Sequence, residues 1–134
     1  MRALIIGATA LALSACGSIQ EMAMPNLQDS KWFVEAINGE PVANPDSYIQ
    51  MASDGRVGGN TGCNNFFGDY KLDGLNLGFD ALGMTKKLCS ETLNKQEADF
   101  LAAIPNIKSY DFTDGKLQLT DDAGKAVIQA GLRN

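Results

Sequence analysis

The chain contains no histidine, so neither a Ser-His-Asp nor a Cys-His catalytic site can be assembled from it. The same absence weakens any zinc reading, because two well-separated cysteines do not supply a ligand set by themselves. Lysine and arginine are few: 11 against 16 acidic residues, for a net charge of −5, with no basic stripe. Binding to a nucleic-acid backbone, which needs clustered cations, is therefore not expected. Long apolar runs are also scarce. The one candidate, Ala3 to Leu13, falls well short of the roughly 20 residues that a membrane-spanning helix requires.

That short run has another meaning. Arg2, the apolar stretch and the small residues before Cys16 have the three-part layout of an export signal, and Leu13-Ser14-Ala15-Cys16 resembles the bacterial lipobox. The resemblance implies cleavage after residue 15 and acylation of Cys16, leaving 1–15 as signal peptide. Several acyl chains hold a protein firmly where one holds only marginally. Gly17 is not the aspartate that retains some lipoproteins at the inner membrane, so the expected location is the outer membrane, lipid-anchored, with the domain facing the periplasm. Residues 16–26 read as a lipidated tether with a proline and no periodicity. Loss of Arg2 with the signal shifts the net charge from −5 to −6. Residues 27–134 suffice for one compact domain, expected to be monomeric.

Setting Cys16 aside for lipid leaves Cys63 and Cys89 as an even pair in an oxidising compartment, for which a disulfide is the default. Closing that loop would stabilise the fold by about 3.5 kcal/mol on the chain-entropy model.

Strand-like segments follow one another along the domain: Lys31–Ile37 before the turn Asn38-Gly39, Ser47–Ala52, Arg56–Asn60, Asn65–Leu72, Leu75–Phe79, Ile107–Phe112, Lys116–Thr120 and Ala126–Leu132. Short strands at this spacing predict a mainly β (α+β) domain, an antiparallel barrel or sandwich. Ser90–Ile104 departs from the pattern, with good helix formers, Ser90 as N-cap and Pro105 as terminator. Leu93, Phe100, Leu101 and Ile104 fall near one face, which predicts a helix packed on the sheet.

The segment Gly58–Tyr70 (GGNTGCNNFFGDY) is dense in glycine, asparagine and aromatics. It has no lysine and precedes a strand, so it does not suit a phosphate loop. Lys71 stands at the third position of Asp69–Gly74, against a calcium loop. A structural reading fits better. Gly58, Gly59 and Gly62 allow unusual backbone or close approach, the asparagines satisfy turn groups, and Cys63 pins the corner. One of Phe66 and Phe67 should point inward, and Trp32 should be buried. Asp54, Asp69, Asp73 and Asp80 are the carboxylates from which a hydrolytic pair could be built, yet each lies in or beside a turn signal. Lys86-Lys87 reads as a solvated pair. The expectation is a protein that is not an enzyme and has no cofactor.

The order Gly62-Cys63-Asn64, Gly68-Asp69-Tyr70, Met84-Thr85, Cys89, then a helix with Glu97 and Phe100-Leu101, resembles the META domain of HslJ-like heat-shock lipoproteins. Trp32 and Asn38-Gly39 sit where that family has its opening strand and hairpin, and the resemblance covers nearly the whole domain. It implies a small, lopsided β-barrel with one helix, shared with a lipid-cavity pilotin. It also implies a structural motif of Gly62, Asn64, Gly68, Tyr70 and Thr85, and an association with envelope stress and drug tolerance. Two functions fit: an interaction module for another envelope protein, or a binder of a lipid or other hydrophobic ligand in the barrel. Inward-facing Phe66, Leu75, Leu77 and Phe79 would fill the interior, whereas glycines at 58, 59, 62, 68, 74 and 78 would leave room.

Overall fold

The computed structural model describes residue 7 and residues 26–133. Apart from Gly7, the expected signal peptide, Cys16 and nearly all of the tether lie outside the described residues. Nine strands make one sheet: β1 (Lys31–Ile37), β2 (Glu40–Pro41), β3 (Tyr48–Met51), β4 (Arg56–Asn60), β5 (Asn65–Asp73), β6 (Asn76–Met84), β7 (Ser109–Thr113), β8 (Lys116–Thr120) and β9 (Ala126–Gly131). The order is β2-β1-β3-β4-β5-β6-β7-β8-β9, and β1 also pairs with β9, so the sheet closes into a ring with β2 as a short arm. All the strand pairings are antiparallel. The fold is thus the expected lopsided β-barrel with one helix.

The lopsidedness has a local cause. β5 and β6 pair along nearly their whole lengths, but β6 meets β7 at the single pair Asn76↔Ser109. Two backbone bonds make that seam, from Leu77 N–H to Lys108 O and from Tyr110 N–H to Leu75 O. The β5–β6 register slips between Phe67 and Asp69, opposite Ala81, whose φ is 51°. Such a bulge bends and twists a strand. A Cβ on Gly68 at this slip would lie 2.6 Å from Leu82 Cδ2 and 2.8 Å from Asp80 O, so the bend requires glycine there.

The interior is filled by alternate residues of the strands. Trp32, Val34, Ile49, Met51, Leu117, Leu119 and Ile128 are essentially inaccessible. The Trp32 indole N–H donates to Leu27 O at 3.0 Å, and its ring stands 5.6 Å from that of Phe112. Of the adjacent phenylalanines, Phe66 points in and Phe67 is 60% exposed. Leu77 is buried and Phe79 half-buried, but Leu75 is 63% exposed, contrary to the expectation that it faces inward. The period-two reading ran one residue too far back, because β6 begins at Asn76 and Leu75 belongs to the turn. Gly59, Gly62 and Gly68 leave no space, whereas nothing lies near the place of a Cβ on Gly74 or Gly78. A Cβ on Gly59 would meet Tyr48 O at 2.0 Å and the Phe66 ring at 2.8 Å.

Helix α1 (Glu91–Ala103) starts where the sequence predicts. The Ser90 side chain accepts the Leu93 N–H, Glu91 sits in the first turn, and a 3-10 turn at Ile104–Asn106 accommodates Pro105. Its buried face is Gln96, Phe100 and Ala103, and the Phe100 ring packs against that of Phe66, tilted by 46° with centroids 5.1 Å apart. On the outer wall, Glu35 at the β1 bulge accepts from Lys116 Nζ at 2.5 Å and from Gln129 Nε2 at 3.2 Å. The Lys116 hydrogen bond holds the Glu35 carboxyl below its ordinary value of 4.5, with burial opposing and Gln129 assisting.

Phe100→Ala should destabilise the domain by about 3–5 kcal/mol, read by urea denaturation, since it vacates a core site shared by helix and barrel. Glu35 gives a pH prediction. A lowered folded-state pKa contributes stability above 4.5 that is lost as pH falls through the folded value. The stability difference between wild type and Glu35→Gln should therefore be constant near neutrality and shrink below pH 4.5; a difference that grows on acidification would contradict the ion pair.

Candidate functional site

The corner between β4 and β5, Thr61-Gly62-Cys63-Asn64, is where the sequence signature converges. All four residues are buried. Thr61 N–H donates to Asn64 O at 2.9 Å, closing the turn. The Thr61 hydroxyl oxygen accepts from the N–H groups of Cys63 and Asn64, at 3.2 and 3.1 Å, and is 2.8 Å from Glu97 Oε1. A hydroxyl has one proton, and a carboxylate is the stronger acceptor, so that proton goes to Glu97.

Asn64 is the hub. Its amide nitrogen donates to Lys87 O at 3.1 Å and to Glu97 Oε1 at 3.0 Å. Its amide oxygen accepts from Lys87 N–H at 2.6 Å and from the Thr85 hydroxyl at 3.0 Å. Two donors and two acceptors are thereby used, which is the full capacity of the side chain. One residue therefore joins the corner, the Thr85–Ser90 segment and helix α1.

The cysteines reinforce the same junction. Cys63 and Cys89 form a disulfide with Cα atoms 5.9 Å apart. Asn94 on the first turns of α1 accepts from Cys89 N–H and donates to Cys89 O, both at 3.2 Å. Gly62, with φ 111°, lies under Gln96: a Cβ there would be 2.4 Å from Gln96 Nε2. Gln96 in turn accepts from Asn44 N–H at 2.7 Å and donates to Asn44 O at 3.1 Å, while Asn44 Nδ2 donates to Gly62 O at 2.9 Å.

Of the residues singled out in the sequence, Gly62, Cys63, Asn64, Thr85 and Cys89 come together here. Gly68 and Tyr70 do not. Gly68 serves the β5 bulge, and the Tyr70 hydroxyl, at the far end of the barrel, donates to Ala52 O at 2.5 Å and accepts from Gln28 Nε2 at 2.7 Å. Thr61, Asn44, Gln96 and the role of Glu97 were not anticipated. A signal existed for Gln96: with Leu93, Phe100 and Ala103 it completes an i, i+3, i+7, i+10 stripe, and a glutamine on an apolar stripe needs buried partners.

Among the described residues no buried side-chain nitrogen or oxygen lacks a partner, and no cluster of acids and cysteines is placed to hold a metal. Asp54, Asp69, Asp73 and Asp80 are all exposed. Asp54 accepts the Arg56 N–H of its own turn, and Asp69 and Asp80 face each other across β5 and β6 on the outer wall. A surface groove of about 410 Å3 runs between the β2 arm and α1, lined by Ile37, Pro41, Val42 and Ala43 with Glu40, Lys95 and Asp99 among its polar residues.

Asn64→Ala should cost about 2–4 kcal/mol, because Glu97 and the Lys87 backbone lose buried partners worth about 1–3 kcal/mol each. Cys63→Ser should cost a similar amount, and the double variant less than the sum, since both act on one junction. Urea denaturation of the three variants measures this. Strict additivity would show that the bond and the network are independent.

Comparison with known proteins agrees with this architecture. The chain is similar to a protein solved by NMR, with 26% identity over 78% of this chain and 90% of that one and a TM-score of 0.60. It is also similar to a protein from Burkholderia xenovorans solved by NMR, at 24% identity over 80% of this chain and 85% of that one, TM-score 0.60. A third likeness is to a DUF4847 family protein from Bacteroides vulgatus, at 20% identity over 80% of this chain and 94% of that one, TM-score 0.58. The last two likenesses speak to fold alone. Among curated proteins none matches the chain. The META domain family model matches residues 25–133, the stretch that holds the whole barrel, its helix and the Asn64 junction, and the chain belongs to the META domain family.

Proposed function

We propose that this META domain is a non-enzymatic, monomeric interaction module of the bacterial envelope, acylated at Cys16 and held at the outer membrane with its domain in the periplasm. Its association is with envelope stress or drug tolerance, as the HslJ-like resemblance suggests. The observation that carries the reading is the barrel interior, filled by Trp32, Ile49, Met51, Leu117, Leu119 and Ile128. With the polar corner also spent on itself, what remains for recognition is the outer surface. The Cys63–Cys89 bond supports export, because structural disulfides persist in oxidising compartments. A second reading, a binder of a lipid or other small hydrophobic ligand, draws on the groove beside α1, whose volume of about 410 Å3 falls within the range of ligand sites.

Cys16→Ala in the full chain should move the protein from the membrane to the soluble periplasmic fraction and remove the acyl mass; unchanged fractionation would refute the anchor. Native mass spectrometry of residues 17–134 should give a bare, oxidised monomer. A hydrophobic adduct that leaves on unfolding would instead support the ligand-binding reading.

A further inference from the structure

The Asn64 junction spends a disulfide and a buried amide on a short segment that has little core of its own. Between β6 and α1, residues 85–88 are exposed, and Leu88, at 89%, is the most open large apolar side chain among the described residues. A lone exposed leucine on a mobile loop would call for no explanation. This one is not on a mobile loop. Thr85 N–H donates to Asn65 O, Lys87 exchanges both backbone bonds with the Asn64 side chain, and Cys89 is bonded to Cys63. The backbone on both sides of Leu88 is fixed, and the side chain is held out in solvent.

The surroundings are specific in charge. Lys86 and Lys87 precede Leu88 with no acid from Met84 to Cys89, on a chain of net charge −5. Among the described residues neither lysine takes part in an ion pair. Phe67, 60% exposed, lies on the outer face of β5 two residues from Asn65, whose carbonyl receives Thr85 N–H; its ring lies where a Cβ on Gly83 would be, 2.5 Å away. Leu88 and the two lysines thus share one rim of the barrel, where Glu97, already bonded to Thr61 and Asn64, lines the same hollow, and Phe67 stands on the adjoining outer wall.

Position selects among occupants. The described chain enters at Asn26, and the residues that follow are tied to Trp32, Met51 and Tyr70. Along β5, Tyr70 is five residues from Asn65, roughly 16 Å at about 3.3 Å per residue. The tether therefore enters at one end of the barrel, and the Leu88 rim lies toward the other.

We propose that the Lys86-Lys87-Leu88 rim is a preorganised docking surface for a periplasmic protein that presents an apolar socket edged by carboxylates. Leu88 enters the socket, the lysines meet the acidic edge, and Phe67 flanks the contact. Because the loop is already ordered, its immobilisation does not have to be supplied on binding. The choice of a protein over the anchoring membrane rests on the Cys16 reading, which places the rim on the far side of the domain.

The test is photocrosslinking in cells of the native host, using the full-length chain with p-benzoylphenylalanine in place of Leu88. A matched control carries it in place of Leu75, which is exposed at the other end of the β5–β6 hairpin. The expected result is a discrete protein adduct from position 88, absent from position 75. It should weaken about tenfold or more when Lys86→Glu and Lys87→Glu are combined, as loss of charge complementarity at a contact rim predicts. Melting curves should match wild type, since all these positions are exposed. A lipid adduct, no adduct, the same adduct from both positions, or indifference to charge reversal would each overturn the proposal. Fractionation of the Cys16→Ala form reads the anchor separately. A protein adduct at position 88 that is lost on charge reversal, in a wild-type chain whose fractionation does not depend on Cys16, would retire the anchor and leave the docking surface standing.

Discussion

The buried amide of Asn64 makes four hydrogen bonds that tie its own corner to two other parts of the chain: Glu97 on α1, and the hydroxyl of Thr85 with both backbone groups of Lys87 in the 85–90 segment. No one of these parts can form its share alone. An amide withdrawn from water with half its partners missing costs more than the bonds it does make. The β4–β5 corner, the 85–90 segment and the start of the helix must therefore take up their places together. The Cys63–Cys89 bond shortens the search for that arrangement by restricting the unfolded chain. Glycine at 62 follows from the same constraint, since Gln96 occupies the space a side chain would need.

From that junction the helix is aimed across the barrel. Phe100 lies one helical repeat beyond the residues that contact the corner, and its ring reaches Phe66, the inward partner of the Phe66-Phe67 pair. The sheet meets it with a filled interior, and the ring closes through β1 and β9. The weak point of the closure is the β6–β7 seam, where one residue pair stands in for the ladder found elsewhere. Bending of the β5–β6 hairpin at Gly68 and Ala81 carries β6 away from β7, so the asymmetry comes from the bulge. These features describe a domain whose polar and apolar interiors are both committed to holding shape.

Much of this was legible in the chain itself. Alternation and turn signals located eight of the strands, because period-two burial and Asn-Gly or Asp-Gly turns are local properties. The helix and its Ser90 cap were equally local, as was the choice of a disulfide once Cys16 was set apart. The two-residue arm Glu40–Pro41 and the Asp80–Met84 half of β6 were not. The first is too short to show a period, and the second runs through Ala81 at positive φ, where alternation breaks. Leu75 went astray for a similar reason, since a turn residue next to a strand carries the same apolar signature as the strand.

By itself, then, the sequence determined the β-rich class, the helix, the absence of histidine chemistry, and the residues that make the family signature. Each of these depends on composition or on neighbours a few positions away. Only the tertiary structure decided that Asn64 would join three elements, that Gln96 and Glu97 would turn inward to meet the corner, that Gly59, Gly62 and Gly68 would be closely covered, and that Leu88 would stand in water. Those outcomes depend on contacts between residues 23 to 52 positions apart, fixed by barrel closure, and no local pattern encodes them.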